Sequence, residues 1–231
     1  MEDSCWEDVW MKKIFECQNE ISTLDPHSYY VYEYKNAEIS YWPYIAKWLY
    51  EDSINHEIEN CLDIGCGYGT LALYCKKLFH CNLFCTDFID SCISRTLINK
   101  YNFFFHVNNI ELDSVPWAKP FDRIIFTEVL EHLNFNPVPT LQKIYNLLTE
   151  KGCLYLSTPD ASSWGKVTKY FSEVKEIPDP NKNVPVINDH IYLFNKDELL
   201  DIIDKSGFKV KRLECAPGIM GRHHYNLALT K

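Results

Sequence analysis

The stretch Cys61-Leu-Asp-Ile-Gly65-Cys-Gly67-Tyr-Gly69-Thr70 constrains the fold more than any other: an apolar run enters three alternating glycines and leaves as a helical pattern. Glycines at a strand-to-helix turn let the backbone bend tightly and admit a ligand to the main chain without interference from a Cβ. Many such turns contain two glycines by chance, so the turn alone is weak evidence. Asp87 strengthens it. It lies 22 residues after Gly65 and closes the next apolar run, NLFCTD, where a carboxylate can accept both hydroxyls of a ribose. The two features together point to a nucleoside-containing cofactor.

The rest of the chain supplies the frame that such a turn needs. From about Asn60, short apolar runs alternate with helical patterns: CLDIG, TLALYCKKLF, NLFCTD, SCISRTLINKY, FFFHV, RIIFTEV, a helix through LQKIYNLLTEKG, then CLYLSTP. Strand–helix alternation predicts an α/β fold with a mostly parallel sheet and helices on both faces. After Pro159 the alternation stops. Residues 161–189, with Pro178, Pro180 and Pro185, read as a lid-like insertion, since a long irregular stretch in a compact domain more often covers a site than connects elements. NKDELLDIIDKSGF follows as a helix, with Asn195 and Glu198 as capping box and Gly207 as C-terminal cap. FKVKRLEC and HHYNLALTK then form a closing hairpin. Residues 1–55 carry two helical patterns dense in Trp and Tyr, and read as a helical cap on the domain formed by 56–231.

Composition narrows the function. The 231 residues carry a net charge of −9, and such a surface repels a phosphate backbone, so nucleic acid is not the expected partner. No basic stretch leads into an apolar one at the start, and no apolar run approaches the ~20 residues that span a bilayer. The ten cysteines are scattered with no CxxC pair, which reads as small buried hydrophobes in a reducing cytoplasm. No internal repeat appears.

The glycine spacing is GxGxG preceded by an acidic residue, unlike the GxGxxG that opens onto a pyrophosphate, and there is no GxxxxGK[ST] loop. With DIGCGYG and FDRIIFTEVLEHL in place, the chain from about Asn60 onward resembles the class I S-adenosylmethionine-dependent methyltransferases. That resemblance implies a Rossmann-like seven-stranded sheet with an antiparallel last strand, and S-adenosyl-L-methionine as cofactor. It places the methionine part over Asp63, Gly65, Cys66 and Gly67, the ribose on Asp87, and the adenine along Phe88. Asn109, beside Ile110, falls where the family has Asp near the adenine amino group. Glu128 lies at the donor's other end.

The second constellation is Glu128-Val-Leu-Glu131-His132. If it opens the helix after the fourth strand, all three polar residues share one face. The segment resembles that of ubiquinone-pathway O-methyltransferases and of small-RNA 3′-terminal 2′-O-methyltransferases, which implies a divalent metal such as Mg on Glu128, Glu131, His132 and His190. Set against this, the same residues in many relatives make only an electrostatic contact. His132 and His190 are also the candidate general bases. His223 and His224, before the last strand, read as solvated or edge-capping and rank below them. The aromatic stretch that includes Tyr34 and Tyr41 is either core or a cofactor or substrate contact.

Methyl transfer from a sulfonium asks mainly for alignment of acceptor and donor, so the residues name the cofactor better than the substrate. The expected reaction is O-methylation of a small hydroxylated metabolite, such as a sugar or a phosphorylated or nucleotide-linked intermediate. The segments around LYLSTPDASS and HIYLFNKDEL also resemble methyltransferases among glycan enzymes. RNA 3′-end ribose methylation, a non-catalytic partner subunit and an NAD-dependent dehydrogenase are the competing readings. Trp164, Val167 and Phe171 recur near helical spacing, which also allows a membrane-surface or homodimer contact.

Overall fold

The computed structural model describes residues 3–26, 28–165 and 169–231, with side chains from residue 9 onward. Seven strands form one sheet in the order β3-β2-β1-β4-β5-β7-β6. They are β1 (Asn60–Ile64), β2 (Asn82–Asp87), β3 (Phe104–Val107), β4 (Phe121–Thr127), β5 (Leu148–Pro159), β6 (Lys209–Ala216) and β7 (His224–Thr230). Neighbours from β3 through β5 run parallel, and β7 is antiparallel to both β5 and β6. The closing hairpin thus sets its last strand inside the sheet. The order reverses direction beside β1, leaving a crevice at the carboxyl ends of β1 and β4 where open α/β sheets bind ligands.

Helices cover both faces. On one lie α1 (Asp3–Leu24), α3 (Pro43–Asn55), α4 (Thr70–Phe79) and α5 (Arg95–Tyr101); on the other, α6 (Pro137–Leu147) and α8 (Lys196–Lys205). The amino-terminal segment shares a core with the sheet: Trp10, Ile14, Trp42 and Leu49 pack with Cys61, Tyr74 and Tyr155. An ion pair reinforces this seam, with Asp52 of α3 against Arg123 of β4, both buried, and Tyr155 donating to the same carboxylate. Among the described residues no helix is long and apolar enough to cross a membrane.

Three local expectations are corrected. The second amino-terminal pattern, AEISYWPYIAKWLYEDS, is not one helix: its first two residues end α2 (Lys35–Glu38), which follows a π-helical turn (Tyr30–Tyr34), and the chain then breaks before Pro43, which restarts it as α3. Proline lacks an amide hydrogen and disfavours a helical residue before it. The helix expected through LQKIYNLLTEKG stops at Leu147, because Leu148 pairs with Phe121 and starts β5. Glu128 to His132 do not open a helix either. Glu128 has φ +55, a short 3₁₀ turn spans Leu130–His132, and α6 begins only at Pro137, capped by the Asn136 side chain. Among the described residues of the insertion, α7 (Ala161–Trp164) and a 3₁₀ turn (Val174–Glu176) are the helical pieces; Val167 lies outside the described residues.

Candidate active site

A cleft of about 240 Å³ opens at the carboxyl ends of β1, β2 and β4. Its floor is the glycine turn. Gly65 and Cys66 donate their amides to the Thr86 carbonyl, at 2.8 and 3.1 Å, and Gly67 donates to Asp87 Oδ2 at 2.8 Å. Gly65, Gly67 and Gly69 all have positive φ. A Cβ at Gly65 would lie 2.3 Å from Val129 Cγ2, whereas one at Gly67 would meet nothing within 4 Å. The first glycine is demanded by packing, and the second leaves open space beside the main chain.

Asp87 lines the cleft, and its other oxygen accepts the Ile89 amide at 3.2 Å. Burial raises its pKa, opposed by those amides. Phe88, half exposed, and Ile110, buried, also line the cleft, with Asn108 and Asn109. The Asn109 side-chain carbonyl accepts the amide of Glu111 at 2.9 Å while the residue lines the cleft. Asp63 and Cys66 are buried and absent from the cleft surface. Asp63 accepts a backbone hydrogen bond from Ala72 in the first turn of α4, and burial, with the charge of Asp87, pushes its pKa up to about 8.

The far end of the cleft is polar. His132 lines it, with Nδ1 2.9 Å from the Asp189 carbonyl and Nε2 4.0 Å from Glu131 Oε1. Burial pulls its pKa down to about 4. Its ring packs edge-on against His190, centroids 4.6 Å apart, and burial also lowers the His190 pKa. Glu131 is fully enclosed. One oxygen accepts from Thr158 Oγ1 at 2.9 Å, the other has no partner, and burial with the nearby Glu128 raises its pKa well above the usual range. One ligand atom each from Glu131, His132 and His190 lies within 4.8 Å of the other two, and Glu128 is not in that group. The Glu128 carboxylate turns instead to Ser157 Oγ, at 2.7 Å, and to His224 Nδ1, at 2.9 Å, and burial pushes its pKa up to about 8.

Two further walls close the cleft, the first of which escaped the sequence reading. Asn134 holds Ile187 by both polar atoms, donating to its carbonyl at 3.0 Å and accepting its amide at 2.7 Å. This pins Val186–Asn188 of the insertion over the cleft; nothing in the pattern around Asn134 marks it as a clamp. Tyr34, one of the aromatics weighed as core or contact, lines the cleft and packs on Tyr68 of the glycine turn, ring centroids 5.4 Å apart. His224 is 1% exposed rather than solvated.

A methyltransferase-domain family model matches residues 34–213. No curated protein matches in sequence. Among solved structures, the [4+2]-cyclase SpnF superposes with TM-score 0.60 at 14% identity, over 83% of this chain and 86% of that one. The Burkholderia thailandensis 1,6-didemethyltoxoflavin-N1-methyltransferase, solved with its substrate and S-adenosylhomocysteine, gives 0.59 at 15% over 80% and 75%. An O-methyltransferase from neocarzinostatin biosynthesis, solved with S-adenosylhomocysteine and 1,4-dihydroxy-2-naphthoic acid, gives 0.50 at 14% over 74% and 48%. At these identities the structural likeness establishes the fold alone.

Proposed function

Since the chain belongs to the methyltransferase-domain family, we propose that it uses S-adenosylmethionine to methylate a hydroxyl of a small molecule. The observation that carries this reading is the Gly67–Asp87 clamp, which sets a carboxylate beside a bare glycine turn at the end of a roofed cleft. Bound there, the cofactor supplies a methyl group already activated on a sulfonium. In this reading Asp87 accepts the ribose hydroxyls, and Phe88 with Ile110 encloses the adenine, all three lining the cleft with Val186–Asn188. Gly65 and Gly67 leave room for the methionine end, with Tyr34 and Glu128 beside it. Asp63 acts from behind by fastening α4 to the turn.

His132 and His190 stand at the acceptor end. With Nδ1 of His132 held by the Asp189 carbonyl, Nε2 keeps a free lone pair. The unpartnered oxygen of Glu131 beside two imidazoles suits a divalent cation. Glu131, His132 and His190 are the residues that would hold one, and a cation there would lower the pKa of a nearby hydroxyl. Asp189, the last residue of the insertion, holds His132 at this end and Val186–Asn188 line the cleft beside it, in keeping with a sugar or similar ring, phosphorylated or not, as acceptor. Nucleic acid is not proposed, and the free cysteines fit a reducing compartment.

The test is incubation with methyl-labelled S-adenosylmethionine and a metabolite extract. Label in a small product that base does not release as an ester supports the reading. Binding of S-adenosylhomocysteine without any label transfer supports the non-catalytic subunit instead.

A further inference from the structure

Glu128 is built unlike its neighbours. It is the first residue after β4 and, although not a glycine, it adopts φ +55, a backbone conformation that clusters at functional positions. From there its side chain bridges three elements. Oε1 accepts Ser157 Oγ of β5 at 2.7 Å, Oε2 lies 2.9 Å from His224 Nδ1 of β7, and the residue still lines the cleft. Its neighbour Val129 packs directly on Gly65, so the carboxylate sits next to the turn assigned to the methionine end.

His224 is the matching oddity. Its imidazole is buried beneath Tyr41, stacked at 4.6 Å, with the edge of Trp164 at 5.4 Å. The approach to Glu128 is short in distance but off the line of a hydrogen bond, and neither ring nitrogen has another partner. Buried polar groups in native proteins are nearly always satisfied. Catalytic hydrogen bonds are often loose before substrate binds and tighten afterwards.

We infer that Glu128 takes the acceptor's proton and that His224 is its positioning residue. This rests on the methyltransferase reading with a hydroxyl acceptor. As the acceptor oxygen bonds to the methyl carbon, the carbon–sulfur bond breaks with its electron pair left on sulfur, and the hydroxyl proton passes to Glu128. The proton stays on the cleft-facing lone pair of the carboxyl, while His224, neutral throughout with its hydrogen on Nδ1, donates to Oε2. Ser157 and His224 grip the carboxylate from two sides, so its free lone pair stays in the cleft.

The experiment compares wild type with Glu128→Gln, Glu128→Asp and His224→Asn. Calorimetry with S-adenosylhomocysteine reads donor binding; labelled transfer into the active fraction of a metabolite extract reads kcat and KM. Glu128→Gln is expected to lower kcat about 10²–10⁴-fold, far more than it lowers the affinity for S-adenosylhomocysteine. Glu128→Asp, which keeps the charge, retains more turnover than Gln. His224→Asn lowers kcat tenfold or more with KM unchanged. The inference is overturned if Glu128→Gln keeps wild-type kcat, if it loses donor affinity tenfold while turnover of the bound complex persists, or if His224→Asn reduces thermal stability and leaves kcat intact. Should wild type bind the donor analogue yet label nothing in any fraction, the transferase reading itself fails and takes the pair with it.

Discussion

Asp87 Oδ2 accepts the main-chain amide of Gly67 at 2.8 Å, so the carboxylate that closes β2 is fastened to the glycine turn that closes β1. One side chain thereby fixes both the shape of the turn and its distance from the end of β2. Replacing Asp87 by Ala removes the anchor and the charged acceptor together. The expected loss in S-adenosylhomocysteine affinity is about 1–3 kcal/mol, read by calorimetry.

The glycines separate folding from binding. Gly67→Val places its side chain in open space, so the protein folds at a cost of about 1–2 kcal/mol for positive φ and loses donor binding. Gly65→Ala collides with Val129 and lowers the melting temperature as well. Thermal unfolding with and without S-adenosylhomocysteine distinguishes the two; a ligand-induced rise in Gly67→Val contradicts the assignment.

The seam between the amino-terminal segment and the sheet depends on Asp52 and Arg123. Asp52→Ala leaves the guanidinium buried and unpaired beneath Tyr155, and should cost about 3–5 kcal/mol in denaturant unfolding. Removing both charges, with Asp52→Leu and Arg123→Met, should cost much less than the single variant, because no charge is then stranded.

Glu38 makes stability pH-dependent. Its buried carboxyl meets Tyr30, Gln18 and Thr70, and desolvation pushes its pKa up to about 7. A carboxyl with a raised folded pKa binds more protons folded than unfolded between its ordinary value, near 4.5, and about 7. Its contribution to stability therefore falls as pH rises through that window, by at most about 1.4 kcal/mol per pH unit, and is flat above it. The difference between wild type and Glu38→Gln, followed by denaturant unfolding from pH 4 to 8, should move in favour of Gln as pH rises; an unchanging difference contradicts the account.

Periodicity made the parallel sheet, the glycine turn and the closing hairpin legible, because each is a local pattern. The capping box of α8 was equally readable, and Asn195 and Glu198 form it. The far end of the cleft was not. Glu128 looked like a helical residue, since no local pattern announces a left-handed φ, although Asn136-Pro137 does mark where α6 begins. The meeting of Glu128 with His224 depends on β7 lying beside β5, with His224 opposite Pro159 and Asn226 opposite Ser157. Such a contact between residues far apart in the chain leaves no spacing to read. The clamp of Asn134 on Ile187 is hidden for the same reason.

The central claim is that the cleft over Gly67 and Asp87 takes a sulfonium-bearing nucleoside. Calorimetric titration of the wild-type chain with S-adenosylhomocysteine and, separately, with NAD tests it most directly. Saturable one-to-one binding of S-adenosylhomocysteine with no heat from NAD is the predicted result. Binding of NAD, or no binding of S-adenosylhomocysteine, would contradict it.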